Sequence, residues 1–134
     1  MKFNKLVPEL SVSNIAKSLD FYKLIGFEIK YERKENKFAF ISFQGSQFMI
    51  EEDNGNWEVG ELVAPRGRGI NFQIEVTDTD IIINKLKESN VELFKEKMEN
   101  TYSGNSNEYL CEEFLVQDPD GYLLRFSKTK EVEK

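Results

Sequence analysis

The chain has no histidine among its 134 residues. That removes the side chain that most often moves protons near neutral pH and most often ligates transition metals. A Ser–His or Cys–His nucleophile is excluded outright. A metal site would have to be built from carboxylates and carbonyls, which suit hard ions better than zinc. The single cysteine, Cys111, cannot close an intramolecular disulfide. With no histidine base available it is expected to be a small buried residue rather than a nucleophile. No apolar run approaches membrane-spanning length, and the opening MKFNKLVPEL lacks the continuous apolar core of a signal peptide. Cytoplasm is therefore the expected compartment. Basic charge is also short, with 18 Lys and Arg against 24 Asp and Glu, a net charge of −6. That balance disfavours nucleic acid and anionic membranes as partners and leans toward neutral or cationic ones.

What the chain does have is bulk and a repeat. Eleven Phe, five Tyr and one Trp can fill the core of one ordinary domain. Residues 6–30 and 70–94 align without a gap. Leu10 matches Ile74, Val12 matches Val76, Leu19 matches Ile83 and Phe27 matches Val91. Asn14 and Asp78 match as helix N-caps, whose side-chain oxygens accept from first-turn amides. Gly26 and Asn90 match as residues tolerant of the left-handed conformation that ends a helix. Each copy reads as strand, helix, strand, and neither buries its apolar face alone.

The pattern predicts strands at 5–12, 27–33, 38–43 and 47–53, with a helix over 15–25. The Gly-rich segment 54–69, which holds Trp57, reads as a linker. A strand at 70–76, a helix over 79–89 and strands at 91–96, 112–117 and 122–127 follow. A polar loop is expected at 99–108 and a frayed tail after 127. Leu6, Leu10, Phe72, Ile74, Leu124 and Phe126 should lie under the helices. Val7, Glu9, Met49, Glu51, Asp53, Asn71, Gln73, Glu75, Leu123 and Arg125 should take the opposite faces. Arg66 and Arg68 in APRGRG are reminiscent of a phosphate nest, but no strand-then-helix context follows.

The stretches VPELSVSNIAKSLDFYKLIGFEI (7–29), GRGINFQIEVTD (67–78) and LVQDPDGYLLRF (115–126) resemble the glyoxalase, bleomycin resistance and extradiol dioxygenase superfamily. The resemblance implies an α+β vicinal oxygen chelate fold. One domain over 1–134 would hold paired βαβββ modules, about 5–53 and 70–127, forming a cup-shaped mixed sheet with helices outside. In the family's metal enzymes, four positions on that face commonly hold His or Glu. Here they fall on Val7, at or beside Glu51, on Asn71 and on Arg125, a set with one carboxylate. No metal or other cofactor and no enzymatic step are therefore expected.

VPEL, LDFY, GF and the ending from Phe114 to Gly121 are most similar to the bleomycin resistance branch. That likeness implies a homodimer in which Pro8 acts as the hinge for swapping the first strand. It also implies ligand clefts lined by aromatics, with acidic groups nearby. Phe38 lies near the branch's stacking position, Trp57 is expected to line the cleft, and Tyr102 and Tyr109 flank the loop 103–108. Met49, Glu51, Asn71, Gln73 and Arg125 complete the expected ligand-binding set. Glu51 and Arg125 either pair with each other or meet the ligand. The expected function is sequestration of a cationic, partly aromatic small molecule such as a bleomycin-type antibiotic. Two rivals stand beside it: a metal-dependent lyase or dioxygenase with a degenerate oxygen-ligand site, and a dimeric binding module for a metabolite.

Overall fold

The computed structural model describes all residues 1–134. The chain forms two four-stranded mixed sheets, each with one helix on one face, and divides into two compact units. The first unit is Met1–Arg66 together with Pro119–Gly121, and the second is Gly67–Asp118 together with Tyr122–Lys134.

In the first unit, β1 (Glu9–Val12), α1 (Ile15–Ile25), β2 (Glu28–Arg33), β3 (Phe38–Phe43) and β4 (Ser46–Glu52) follow one another, with a short 3-10 turn at Lys34–Asn36. The sheet order is β1-β4-β3-β2, with β1 parallel to β4 and the other pairs antiparallel. Helix α1 starts because Asn14 Oδ1 accepts from Lys17 N at 3.1 Å. It stops at Gly26, whose φ of 131° and close approach to the Phe43 ring leave no room for a side chain. A Cβ there would lie 2.7 Å from that ring. Alternation along the strands turns Leu10, Val12, Ala39, Ile41, Phe48 and Ile50 to the helix, and all six are buried. Tyr22 is the centre of this core, meeting Phe21 and Phe27 edge-on at 5.2 Å each.

The second unit repeats the plan with β5 (Asn71–Glu75), α2 (Thr79–Glu88), β6 (Lys95–Ser103), β7 (Asn107–Gln117) and β8 (Leu123–Glu133), in the order β5-β8-β7-β6. Asp78 caps α2 by accepting from Ile81 N at 3.2 Å, and Asn90 adopts the left-handed conformation just beyond it, φ 60°. Ile74, Ile82, Leu86, Val116 and Leu124 pack around Phe114 and Phe126, whose rings stack at 5.3 Å.

Three local expectations are corrected. Strand β1 begins at Glu9, not at residue 5, and Leu6 is 82% exposed rather than beneath the helix. Residues before Pro8 leave the strand and are held by side chains instead. Asn4 N donates to Gln47 Oε1, Gln47 Nε2 donates to Lys2 O, and Phe3 sits edge-on to Phe40. The expected loop at 99–108 is mostly strand, closed by a tight turn in which Gly104 N donates to Asn107 O. The expected frayed tail is the last half of β8, paired with β7 as far as Glu133. Arg66 is not an anion site, because its guanidinium is bidentate to Asp53 at 2.7 Å and also donates to Ser11 O.

Candidate functional site

In each unit the sheet face turned away from the helix, the open face, carries polar and aromatic side chains, of which Phe38, Phe40, Cys111 and Glu113 are buried. Alternation places Tyr109, Cys111 and Glu113 of β7 on the open face of the second sheet. Gln73 and Glu75 of β5, Arg125 and Thr129 of β8, and Asn100 and Tyr102 of β6 join them. Gln73, Tyr102, Tyr109, Cys111, Arg125 and Thr129 line a hollow of about 250 Å³.

The charges beside this hollow are largely engaged. Glu113 is buried, and its Oε1 accepts from Tyr102 Oη at 2.7 Å and Asn100 Nδ2 at 3.4 Å. That bond to Glu113 holds the Tyr102 phenol above its ordinary pKa. Arg125 donates from Nη2 to Gln73 Oε1, while its Nη1 stands 4.0 Å from Glu113 Oε1. Glu75 accepts from Thr129 N and Oγ1 at 2.6 and 2.8 Å. Two atoms are left over: Glu113 Oε2 and Arg125 Nε are both buried and without a partner. A larger hollow of about 470 Å³ lies where β7 and β8 outrun α2, lined by residues such as Leu110, Glu112 and Lys128. It is the uncovered end of the helix-side face, and none of the expected site residues lines it.

The open face of the first sheet has a different character. Tyr31 stacks on Phe40 at 5.2 Å and lies 5.8 Å from Phe38. The Arg33 guanidinium sits 4.0 Å above the Phe38 ring, a close cation–π contact. Glu9 and Glu51 share this face with Met49. Glu9 is held above the ordinary carboxylate pKa, first by burial and then by Glu51, with Arg33 and a hydrogen bond from Trp57 pulling the other way.

Of the nine ligand-binding residues expected from the sequence, Gln73, Tyr102, Tyr109 and Arg125 meet at the smaller hollow. Phe38, Met49 and Glu51 share the first sheet's open face, where Phe38 is buried. Trp57 is mostly exposed beside Glu9, and Asn71 is exposed at the start of β5. Tyr102 and Tyr109 flank the tight turn between β6 and β7, shorter than the expected loop, and face each other as a cross-strand pair. Glu51 accepts from Asn54 Nδ2 at 2.7 Å, and Arg125 has Gln73 and Glu113. Pro8 precedes β1, its carbonyl accepting from Met49 N. The sequence reading missed Glu113. Its signal was there: within CEEFLV, the residue beside Phe114 must face away from the helix, toward the face that carries Arg125.

Of the four positions that hold metal ligands in the family's enzymes, three carry residues whose chemistry fits an ion poorly. Val7 has no donor atom, Arg125 is cationic and already bonded, and Asn71 offers one neutral oxygen. No three His, Cys, Asp or Glu side chains come together in a way that could hold an ion.

Residues 2–126 match the family model described as the Glyoxalase/Bleomycin resistance protein/Dioxygenase superfamily. Among solved structures, TioX from Micromonospora sp. ML1 superposes with a TM-score of 0.71 at 15% identity, covering 94% of this chain and 98% of its own. A virulence protein of Salmonella typhimurium gives 0.67 at 18% identity, over 96% and 98% of the two chains. A glyoxalase/bleomycin resistance protein/dioxygenase from Alicyclobacillus acidocaldarius gives 0.62 at 19% identity, over 93% and 90%. At such identities these likenesses speak to fold alone. A search of curated proteins found no match.

Proposed function

We propose that this chain, which belongs to the Glyoxalase/Bleomycin resistance protein/Dioxygenase superfamily, is a small-molecule binding protein that sequesters a cationic, partly aromatic ligand without chemistry. The observation that carries the reading is the first sheet's open face. There a planar guanidinium, that of Arg33, already lies on Phe38, with Glu9 close enough for the charge to lower its pKa. A ligand with a flat cationic group finds the same aromatic surface and the same carboxylates by displacing Arg33. Each aromatic contact would contribute roughly 0.5–1.5 kcal/mol beyond area burial, and attraction by partly exposed carboxylates would weaken with salt.

A calorimetric titration with a bleomycin-type drug tests this. The drug should bind and be recovered unchanged, and Phe38→Ala should weaken binding roughly two- to tenfold. Arg33→Ala should tighten it, because the ligand no longer competes with a resident cation. Absence of heat at tens of micromolar drug would sink the resistance reading. We further propose that the chain works as a homodimer in the cytoplasm, with residues 1–7 exchanged about Pro8. Light scattering should then give a dimer that weakens when residues 1–7 are deleted.

A further inference from the structure

The hollow of the second unit differs in kind from the aromatic, acidic face just described, and its chemistry does not depend on the cation reading. The one cation in its lining, the guanidinium of Arg125, donates to Gln73 Oε1 and is opposed by the buried carboxylate of Glu113 at 4.0 Å. Glu75 is committed to Thr129 through two hydrogen bonds. A cationic ligand group would meet Arg125 and an anionic one would meet Glu113, so each is opposed by one of the pair. A neutral group is opposed by neither.

The unused valences say which neutral group. Glu113 Oε2 is an acceptor and Arg125 Nε carries a hydrogen, and both are buried without a partner. Buried polar groups left in this state cost free energy, and native structures hold few of them. The pair therefore offers one acceptor on Glu113, which lies behind the lining, bonded to Tyr102, and one donor on Arg125, which lines a hollow of about 250 Å³. At roughly 30 Å³ per water-sized atom, that admits a group of about eight atoms. Tyr102 and Tyr109 rim the hollow and can flank a flat substituent.

We infer that this hollow takes a neutral carboxamide on an aromatic or similarly flat body. The amide N–H is directed to Glu113 Oε2 and the amide carbonyl to the Arg125 Nε hydrogen. Glu113 stays fixed by Tyr102 and Asn100 in the interior. Arg125 and Tyr102, whose side chains are partly exposed, shift to admit the group.

Three probes that share one ring separate the possibilities: benzamide carries a donor and an acceptor, benzamidine is a cation and benzoate is an anion. Titration of isotope-labelled protein followed by NMR should show benzamide binding at least about threefold more tightly than either of the others. The shifts should centre on the backbone amides of Gln73, Cys111 and Arg125. Glu113→Gln removes the charge that opposes Arg125, so the order should invert and benzoate should become the preferred probe. A purely structural role for Glu113 would not produce that inversion. If Glu113→Gln does not fold, Tyr109→Ala decides, because loss of a rim aromatic should weaken benzamide severalfold. Equal binding of the three probes, a wild-type preference for benzoate or benzamidine, or shifts that map elsewhere would overturn the inference. So would the absence of benzamide binding up to about 20 mM, since a site that weak selects nothing.

Discussion

The two units share a helix-side pattern and differ on the other side of the sheet. Leu10, Ile50 and Tyr22 in one unit, and Ile74, Leu124 and Leu86 in the other, do the same work of burying one helix on one sheet. The open faces have parted. The first holds Tyr31, Phe38 and Phe40 in mutual contact with an arginine on top. The second holds Glu113, Arg125, Tyr102 and Gln73 in a polar cluster. Packing constrains the helix side, since any exchange there leaves a cavity or a clash. The open faces were free to diverge, and binding chemistry is therefore sought on them.

Four measurements break or sharpen that contrast. The largest effect is expected where the units agree. Tyr22→Ala and Phe126→Ala both truncate fully buried aromatics and should each cost about 3–5 kcal/mol in denaturant unfolding. A large cost in only one unit would show that the cores are not equivalent. Next come the open faces, where the units disagree. Glu113→Ala should cost about 1–3 kcal/mol, because it strips Tyr102 and Arg125 of their buried partner. Glu51→Ala, which loses the exposed Asn54 contact and relieves the repulsion on Glu9, should stay within about 0.5 kcal/mol.

The third measurement returns to agreement. Asn14→Ala and Asp78→Ala each remove one helix cap and should cost about 1 kcal/mol apiece. The smallest effect concerns Glu9. Burial and Glu51 raise its folded-state pKa above the ordinary 4.5. The folded chain thus holds that proton more tightly than the unfolded chain. Glu9 costs stability at pH values above its folded pKa, and the cost disappears as pH falls below the unfolded value. Glu9→Gln should therefore unfold at a slightly higher temperature than wild type at pH 7 and not at pH 4. A variant that is less stable at pH 7 would show that the Trp57 and Arg33 contacts outweigh burial.

The sequence made some of this legible for physical reasons. Strong caps and an apolar stripe at helical spacing predicted α1 over 15–25, the span it occupies. Both sheets' alternation predicted which side most strand residues take. The reading failed where a strand has no apolar alternation to betray it. ENTYSGNSNE looks like a loop because its residues are polar, yet it pairs across a hairpin whose hydrogen bonds come from the backbone. KTKEVEK likewise extends β8 because β7 offers a free edge along its whole length. Leu6 misled in the opposite direction: its alternation with Leu10 is real, but Pro8 intervenes and the ladder starts after it. Gln73, Tyr102, Tyr109 and Arg125 meet within the second unit because face assignment follows from period two. Glu113 hid in an apolar run, where a carboxylate reads as a flaw until Arg125 and Tyr102 are seen around it.

The turn at Pro119–Gly121 has a consequence for how the molecule can be made. Asp120 accepts from Ser13 N at 3.1 and 3.2 Å, across 107 positions of chain, and counts with the first unit although the strands on either side of it belong to the second. The front half of the gene, cut anywhere in 54–69, would encode a first unit that lacks this clasp. During synthesis, Ser13 waits without its carboxylate partner until Asp120 has emerged, 107 positions later. Though its sequence carries the mark of a doubled half, the first half is completed only by a turn that lies within the second.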